Sequence, residues 1–283
     1  MIRATTGAGC ASGPSPARHV RGTLGQPVLP TVEYMPVPSP IPQVRAADAR
    51  RVRDLLRIAV AGRPRAAGLL PREDELMVAF GVSRSVVRAA LALLSDEGLL
   101  RPGPAAHRIV ATPDYRGGHD VVTDPHRPPR WLGRAGITAP DVLAGWLGVP
   151  PGSPVLRTEC VAGTAGGGTV LETHYVATPA AAELLAVPDT GPFDRLLADA
   201  RLDPGVVRTR SGPVPADPDT AGLLGVAPAT PLLGIERTVA APGGGVLAAG
   251  VLRAHAGPVP PAARTAGGGR PEGALPAPVA AVW

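Results

Sequence analysis

Residues 70–100, LPREDELMVAFGVSRSVVRAALALLSDEGLL, decide the fold of the N-terminal half. Leu76, Met77 and Phe80 share one face of a short helix spanning about Arg72 to Phe80, and Gly81 is a natural stop for it. Ser83 is a good N-cap for a second helix running to Glu97, with Gly98 as its terminator. Its inward face is Val87, Ala90, Leu91 and Leu94, at i, i+3, i+4 and i+7. Only Gly81-Val82-Ser83 separates the two helices, which forces a steep crossing. Upstream, Val52, Leu55, Leu56 and Ala59 mark one face of a helix from about Ala46 to Ala61. Downstream, Leu99-Leu100-Arg101, a Pro-Gly turn and Arg108-Ile109-Val110 read as a short hairpin. Three helices and a wing, over residues 45–112, are the expected unit.

A helix that enters the DNA major groove needs cationic or hydrogen-bonding side chains near its N-terminal end and a buried opposite face. Arg84, Ser85 and Arg88 satisfy this on the outward face, and Val86 is placed to touch a thymine methyl group. Ser83 at the cap and Arg101 and Arg108 on the hairpin join the expected DNA-contacting set. The chain carries a net charge of +5, with 28 basic residues that are all arginine. Seven of them, Arg50, Arg51, Arg53, Arg57, Arg63, Arg65 and Arg72, fall between positions 46 and 72 against Asp48 and Asp54. That concentration in one domain favours a polyanionic partner.

Together, Leu70-Pro-Arg-Glu-Asp-Glu-Leu76, Phe80-Gly-Val-Ser-Arg-Ser-Val-Val-Arg-Ala-Ala-Leu91 and Asp96-Glu-Gly-Leu-Leu100 resemble the winged-helix signature of GntR-type bacterial regulators. The resemblance implies a homodimer on double-stranded DNA carrying an inverted-repeat operator. It makes Arg84 and Arg88 the groove-reading arginines and Gly103 the wing-tip glycine. Three positions depart from the family pattern. Arg72 stands where serine usually caps the short helix before Gly81, Asp74 where a basic residue usually meets phosphate, and Ala105-Ala106-His107 where Gly-Thr usually follows the wing tip. Arg72 is the candidate to replace the missing phosphate contact.

The second half contains an internal duplication. Leu147-Gly-Val-Pro-Pro-Gly-Ser-Pro-Val-Leu-Arg-Thr-Glu159 matches Leu224-Gly-Val-Ala-Pro-Ala-Thr-Pro-Leu-Leu-Gly-Ile-Glu236 without a gap, and Gly166-Gly167-Gly168 falls on Gly243-Gly244-Gly245. Each copy reads as a helix end, a Pro-bounded turn, a strand, a glycine turn and a second strand. Helical stretches at about 179–186 and 192–202 lie between the copies. The outcome is an antiparallel α+β domain over residues 130–256. The repeated unit resembles the UTRA effector-binding domain of the HutC branch of GntR regulators, whose fold is that of chorismate lyase. That resemblance implies a small-molecule effector. The family's phosphate-gripping arginines fall here on Cys160 and Ala162, so a sugar phosphate is disfavoured. Glu172 keeps the family's acid and Tyr175 follows it, while Arg157, Arg208, Arg210 and Arg237 remain as anion receivers; the five candidate effector-binding residues are Arg157, Glu172, Tyr175, Arg208 and Arg237.

The bulk features exclude several classes. With 36 Gly and 36 Pro, irregular stretches are expected: tails at 1–44 and 257–283 read as disordered, and 113–129 as an interdomain linker. Cys10 and Cys160 imply neither a disulfide framework nor a metal pattern. No apolar run reaches a membrane span and no signal peptide is visible, so a cytoplasmic protein is expected. His119, Asp120, Asp124 and His126 read as a solvated loop, and His174 as strand surface. The glycine turns open no helix and are not phosphate loops. No catalytic set, metal or cofactor is expected. Two other readings stay open: a ligand-blind DNA-binding dimer with a vestigial sensor, and an enzyme on the chorismate-lyase-like fold.

Overall fold

The computed structural model describes residues 41–61, 68–104, 106–115 and 118–255, with side chains from Arg45 onward. The expectations for residues 1–40 and 257–283, and for Cys10, Arg63, Arg65 and Ala105, lie outside the described residues. The first helix, α1 (Ile41–Ala61), begins inside the stretch expected to be irregular. It is followed by α2 (Glu73–Phe80), α3 (Arg84–Asp96) and the two-stranded wing of β1 (Leu100–Arg101) and β2 (Arg108–Ile109). The α2 and α3 axes differ by 108°, the steep crossing that a three-residue connection demands. Val52, Leu56 and Val60 of α1 close this unit's core on Leu76, Val87, Leu91, Leu94, Leu100 and Ile109. Among the described residues no single helix is long and apolar enough to cross a membrane.

The second half contains β3 (Arg130–Thr138), α4 (Asp141–Leu147), β4 (Pro154–Gly163), β5 (Thr169–Ala177), α5 (Ala180–Leu185), α6 (Phe193–Asp199), β6 (Val207–Pro215), α7 (Pro218–Leu224), β7 (Pro231–Ala240) and β8 (Val246–His255). The six long strands form one antiparallel sheet in the order β3-β4-β5-β8-β7-β6. The duplication explains that order. Elements recur at a constant offset of 77 residues: β3 at 130 becomes β6 at 207, α4 at 141 becomes α7 at 218, and β4 at 154 becomes β7 at 231. Each half is a three-stranded unit, and the halves join through β5 and β8. Gly148 and Gly225, equivalent in the repeat, end α4 and α7 at φ 69° and 71°, a left-handed conformation that glycine adopts without steric cost. The repeated Leu-Gly-Val is therefore a helix stop. The strand that opens each half, β3 or β6, was not part of the expected unit.

Strand alternation gives the sheet two different faces. One carries Cys160, Ala162, Glu172, His174, Ile235 and Leu252, and lies beneath α6 and the linker around Val121. The other carries Arg157, Glu159, Thr173, Tyr175, Val251 and Arg253, and lies beneath α4, α7 and α1. The first helix thus belongs to two cores. Leu55, Ile58 and Ala59 leave the winged helix and pack with Val142, Leu143, Trp146, Tyr175 and Val251.

Candidate functional site

Three arginines of α1, Arg50, Arg53 and Arg57, are not offered to DNA. This corrects the expectation drawn from their clustering: Arg50, Arg53 and Arg57 are buried, and their partners come from the second half of the chain and from the end of α3. Arg50 donates from Nη2 to Glu159 and from Nε to Asp219, both at 2.8 Å. Arg51 also pairs with Glu159, and with Asp48 at 2.9 Å. Arg53 bridges Glu97, just past α3, and Asp217, the N-cap of α7, at 2.7 Å each. Arg57 pairs with Glu97, and Asp54 accepts from Arg253 at 2.5 Å. Burial would raise the Glu159 carboxyl, but Arg50 and Arg51 outweigh it and hold it at about 2. Charges this deep require such partners, because a lone buried ion costs several kcal/mol. The network fastens the winged helix to the sheet domain through α1.

The DNA-facing candidates sit elsewhere. Arg84, Ser85 and Arg88 are exposed on the first turns of α3, while Val86, Val87, Ala90, Leu91 and Leu94 are buried behind them. Val86, expected to touch a base, is 5% exposed and lies in the core, so it is withdrawn from the contact set. Ser83 occupies the N-cap position without capping through its side chain; its Oγ lies 2.9 Å from that of Ser85. Arg88 rests on Glu73, with Nε 2.9 Å and 3.1 Å from the two carboxylate oxygens. At the cap of α2, Glu75 accepts from the Arg72 backbone N–H at 2.6 Å, and the Arg72 side chain pairs with Asp74 at 3.5 Å. On the wing, Arg101 and Arg108 are direct cross-strand partners and both are exposed. Like charges placed opposite each other destabilise a ladder, and a phosphate between them removes the conflict. Gly103 stands where a Cβ would run into the Ala106 carbonyl oxygen, which accounts for glycine at the wing turn. Arg84, Arg72, Gly103 and His107 border a concavity of about 280 Å³ between α3 and the wing, with Glu73 and Asp74 on the same rim.

The five candidate effector residues separate. Arg157 and Tyr175 are cross-strand neighbours and together line a cavity of about 600 Å³ between the sheet domain and the winged helix. Glu172 and Arg237 are on the opposite face. There Glu172 lies 3.8 Å from the Cys160 sulfur and 3.4 Å from the Phe193 backbone nitrogen, and burial with the Asp194 charge pushes it up to about 7. Arg237 pairs with Asp194 at 2.7 Å and Asp120 at 3.4 Å. Arg208 is on the edge strand β6 opposite Thr238, outside the cavity wall. His174, expected at the surface, is buried and stacks on Phe193 at 3.7 Å between ring centroids; burial and Arg237 keep its ring well below the usual histidine range. In the linker, His119 is exposed and its Nδ1 lies 3.1 Å from the Ser211 Oγ. Cys160 and Ala162 are each 2% exposed, so the positions that would hold a phosphate are part of the packed interior.

A three-helix unit with a wing, an exposed arginine edge on its second turn-linked helix and a duplicated six-stranded domain behind it defines a two-domain, winged-helix protein. Residues 49–103 match the family model described as bacterial regulatory proteins, gntR family, and residues 129–256 match the UTRA domain. The chain thus carries a gntR-family helix-turn-helix region followed by a UTRA domain. A Rhizobium meliloti (strain 1021) protein, named uncharacterized HTH-type transcriptional regulator RB1450, is 31% identical over 155 residues, 49% of this chain. The alignment spans 60% of that relative's length. Among solved structures, PhnF from Mycobacterium smegmatis covers 75% of this chain and 93% of its own at 23% identity and a TM-score of 0.43. The effector domain of PhnF covers 45% of this chain and 80% of its own at 23% identity and a TM-score of 0.41.

Proposed function

We propose that this protein is a sequence-specific, DNA-binding transcriptional regulator that acts as a cytoplasmic homodimer on an inverted-repeat operator. In this reading its UTRA domain senses a small molecule other than a sugar phosphate, and the protein catalyses no reaction. The domain limits are 45–112 for DNA binding and 130–256 for sensing. The observation that carries the reading is the exposed Arg84-Ser85-Arg88 edge at the start of α3, backed by a fully apolar inner face. Arginine forks there suit guanine edges or phosphates; Arg72 borders the same concavity as Arg84, and Arg101 and Arg108 are exposed on the wing. The buried network between α1 and the sheet domain supplies the mechanical link that a sensor needs. A ligand that stabilises one arrangement of the two domains changes the spacing of paired reading helices, and so the fit to operator half-sites.

The test is a gel shift on the intergenic DNA upstream of the protein's own coding sequence. Wild-type protein is expected to shift it, and the double substitution Arg84→Ala/Arg88→Ala to lose the shift; undiminished binding by the double variant refutes the assignment. A ligand-blind dimer is the second reading, favoured by the burial of Cys160 and Ala162 where the phosphate-gripping positions fall.

A further inference from the structure

Arg157 is the one charged residue on the wall of the interdomain cavity whose guanidinium is partly buried and meets no carboxylate. Its Nε is buried without a hydrogen-bond partner, and it forms no ion pair among the described residues. Burial, and then the like charge of Arg51, lower its pKa, as befits a cation held in an unfavourable place. An unpaired buried charge is normally either matched or removed. Here the half-buried Arg157 side chain lines open space of about 600 Å³, a volume that suits a small organic molecule.

The rest of the wall sets the chemistry of that molecule. Val52 and Leu55 of α1, Phe80 at the end of α2, Ile137 of β3 and the ring of Tyr175 make it largely apolar. Two acids also line it: Asp48, already paired with Arg51, and Asp141, exposed at the start of α4. One free guanidinium between two carboxylates suits a single negative charge better than the double charge of a phosphate monoester. We infer that the cavity between the winged helix and the UTRA domain is a binding site for a small organic monocarboxylate, its carboxylate forked onto Arg157 and its apolar body against Tyr175, Phe80 and Leu55. This site is on the opposite face of the sheet from Cys160, Glu172 and His174. Residues 78–82 belong to its wall and lead directly into Ser83 and Arg84, so an occupant touches the reading unit and the sheet domain at once. Its consequence for DNA rests on the function proposed above, whereas the binding itself does not.

Thermal unfolding and calorimetric titration of the full chain test the site, with octanoate and phenylacetate as probes and octanamide and inorganic phosphate as controls. A carboxylate is expected to raise the Tm of the wild type, and the two controls to leave it unchanged. Arg157→Gln, which removes a half-buried charge that has no ion-pair partner, should keep a cooperative transition and weaken carboxylate binding about tenfold or more. Ala79→Trp, which fills the cavity from α2 and leaves Arg157 in place, should abolish the response as well. Absence of any carboxylate response in the wild type overturns the site. So does a response retained in both variants, or an equal response to phosphate. Operator binding is measured in parallel. A chain that shifts DNA yet ignores both carboxylates loses only the cavity site, whereas Arg157-dependent carboxylate binding without any DNA shift refutes the regulator and leaves the site standing.

Discussion

Glu159 and Glu236 occupy the same place in the two halves of the sheet, at the 77-residue offset, and the structure treats them differently. Both oxygens of Glu159 are satisfied: Oε1 accepts from Arg50 at 2.8 Å and Thr173 at 2.9 Å, and Oε2 accepts from Arg51. Glu236 receives Arg210 at 2.5 Å on Oε2, while its buried Oε1 has no hydrogen-bond partner. The duplicated acid has become the anchor for α1 in one half only. Glu159→Gln removes the carboxylate that Arg50 and Arg51 share, leaving Arg50 to Asp219 and Arg51 to Asp48, and should cost about 3 kcal/mol. Glu236→Gln replaces a half-satisfied acid by a neutral isostere and should cost less than about 1.5 kcal/mol. Equilibrium denaturation of the two variants at pH 7 measures both; equal losses would refute the asymmetry.

Glu172 gives stability a pH dependence of opposite sign to that of Glu159. Burial and the Asp194 charge raise it from 4.5 to about 7, against the pull of the Phe193 N–H and Arg237. The folded state therefore keeps a proton that the unfolded chain has already released. Its contribution is fully present below about pH 4.5 and is lost as the pH rises through about 7. Relative to Glu172→Gln, the wild type should lose on the order of 3 kcal/mol between pH 4.5 and 8. Urea titrations of both proteins across that range give the difference directly. A constant gap between them would show that Glu172 is ionised throughout.

These charge arrangements mark the boundary of what was legible in the sequence. α2 and α3 were, because their apolar residues recur at helical spacing between unambiguous glycine stops. The sheet was legible through the repeated Leu147 and Leu224 motifs, but β3 and β6 were not. RWLGRAGIT and VRTRSGPVP share no visible pattern; only their place in the 77-residue repeat equates them. The α1 arginines were read as a cluster suited to a polyanion because their partners Glu159, Asp217 and Asp219 are more than 100 residues away in sequence. One signal was present: with Leu55, Ile58 and Ala59 added to Val52, Leu56 and Val60, apolar residues cover more than half of the helix circumference, wider than the stripe of a helix with a single core. His174 was misplaced for a related reason. A strand covered on both faces carries no alternation by which to tell inside from outside.

Gly103 tests whether the wing turn matters for DNA as well as for folding. A Cβ at this position would meet the backbone oxygen of Ala106, and backbone atoms yield less readily than a flexible side chain. Gly103→Ala should displace the turn between Arg101 and Arg108, lower stability by about 1 kcal/mol and weaken operator binding. Unfolding and gel-shift measurements on one preparation separate the two effects. A variant with wild-type affinity would remove the wing turn from the interface.

Among the described residues Arg88 and Arg50 stand for two kinds of arginine that salt dependence distinguishes. Each phosphate neutralised on DNA steepens the fall of log K with log salt by about 0.9. Arg88 is 63% exposed and held only by the exchangeable Glu73 pair, so Arg88→Ala should either flatten that slope by about 1 or relax base preference at a cost of about 1–3 kcal/mol. Arg50 is 1% exposed and bonded to Glu159 and Asp219, so it has no reach to a phosphate. Arg50→Met should leave the slope unchanged while costing about 3 kcal/mol of stability, because Glu159 and Asp219 lose a shared partner. Fluorescence anisotropy with labelled operator between about 50 and 200 mM salt, alongside thermal unfolding, reads both quantities. A flattened slope for Arg50→Met would mean that α1 leaves the sheet domain when the protein binds DNA, and the buried network would then be a latch rather than a fixed joint.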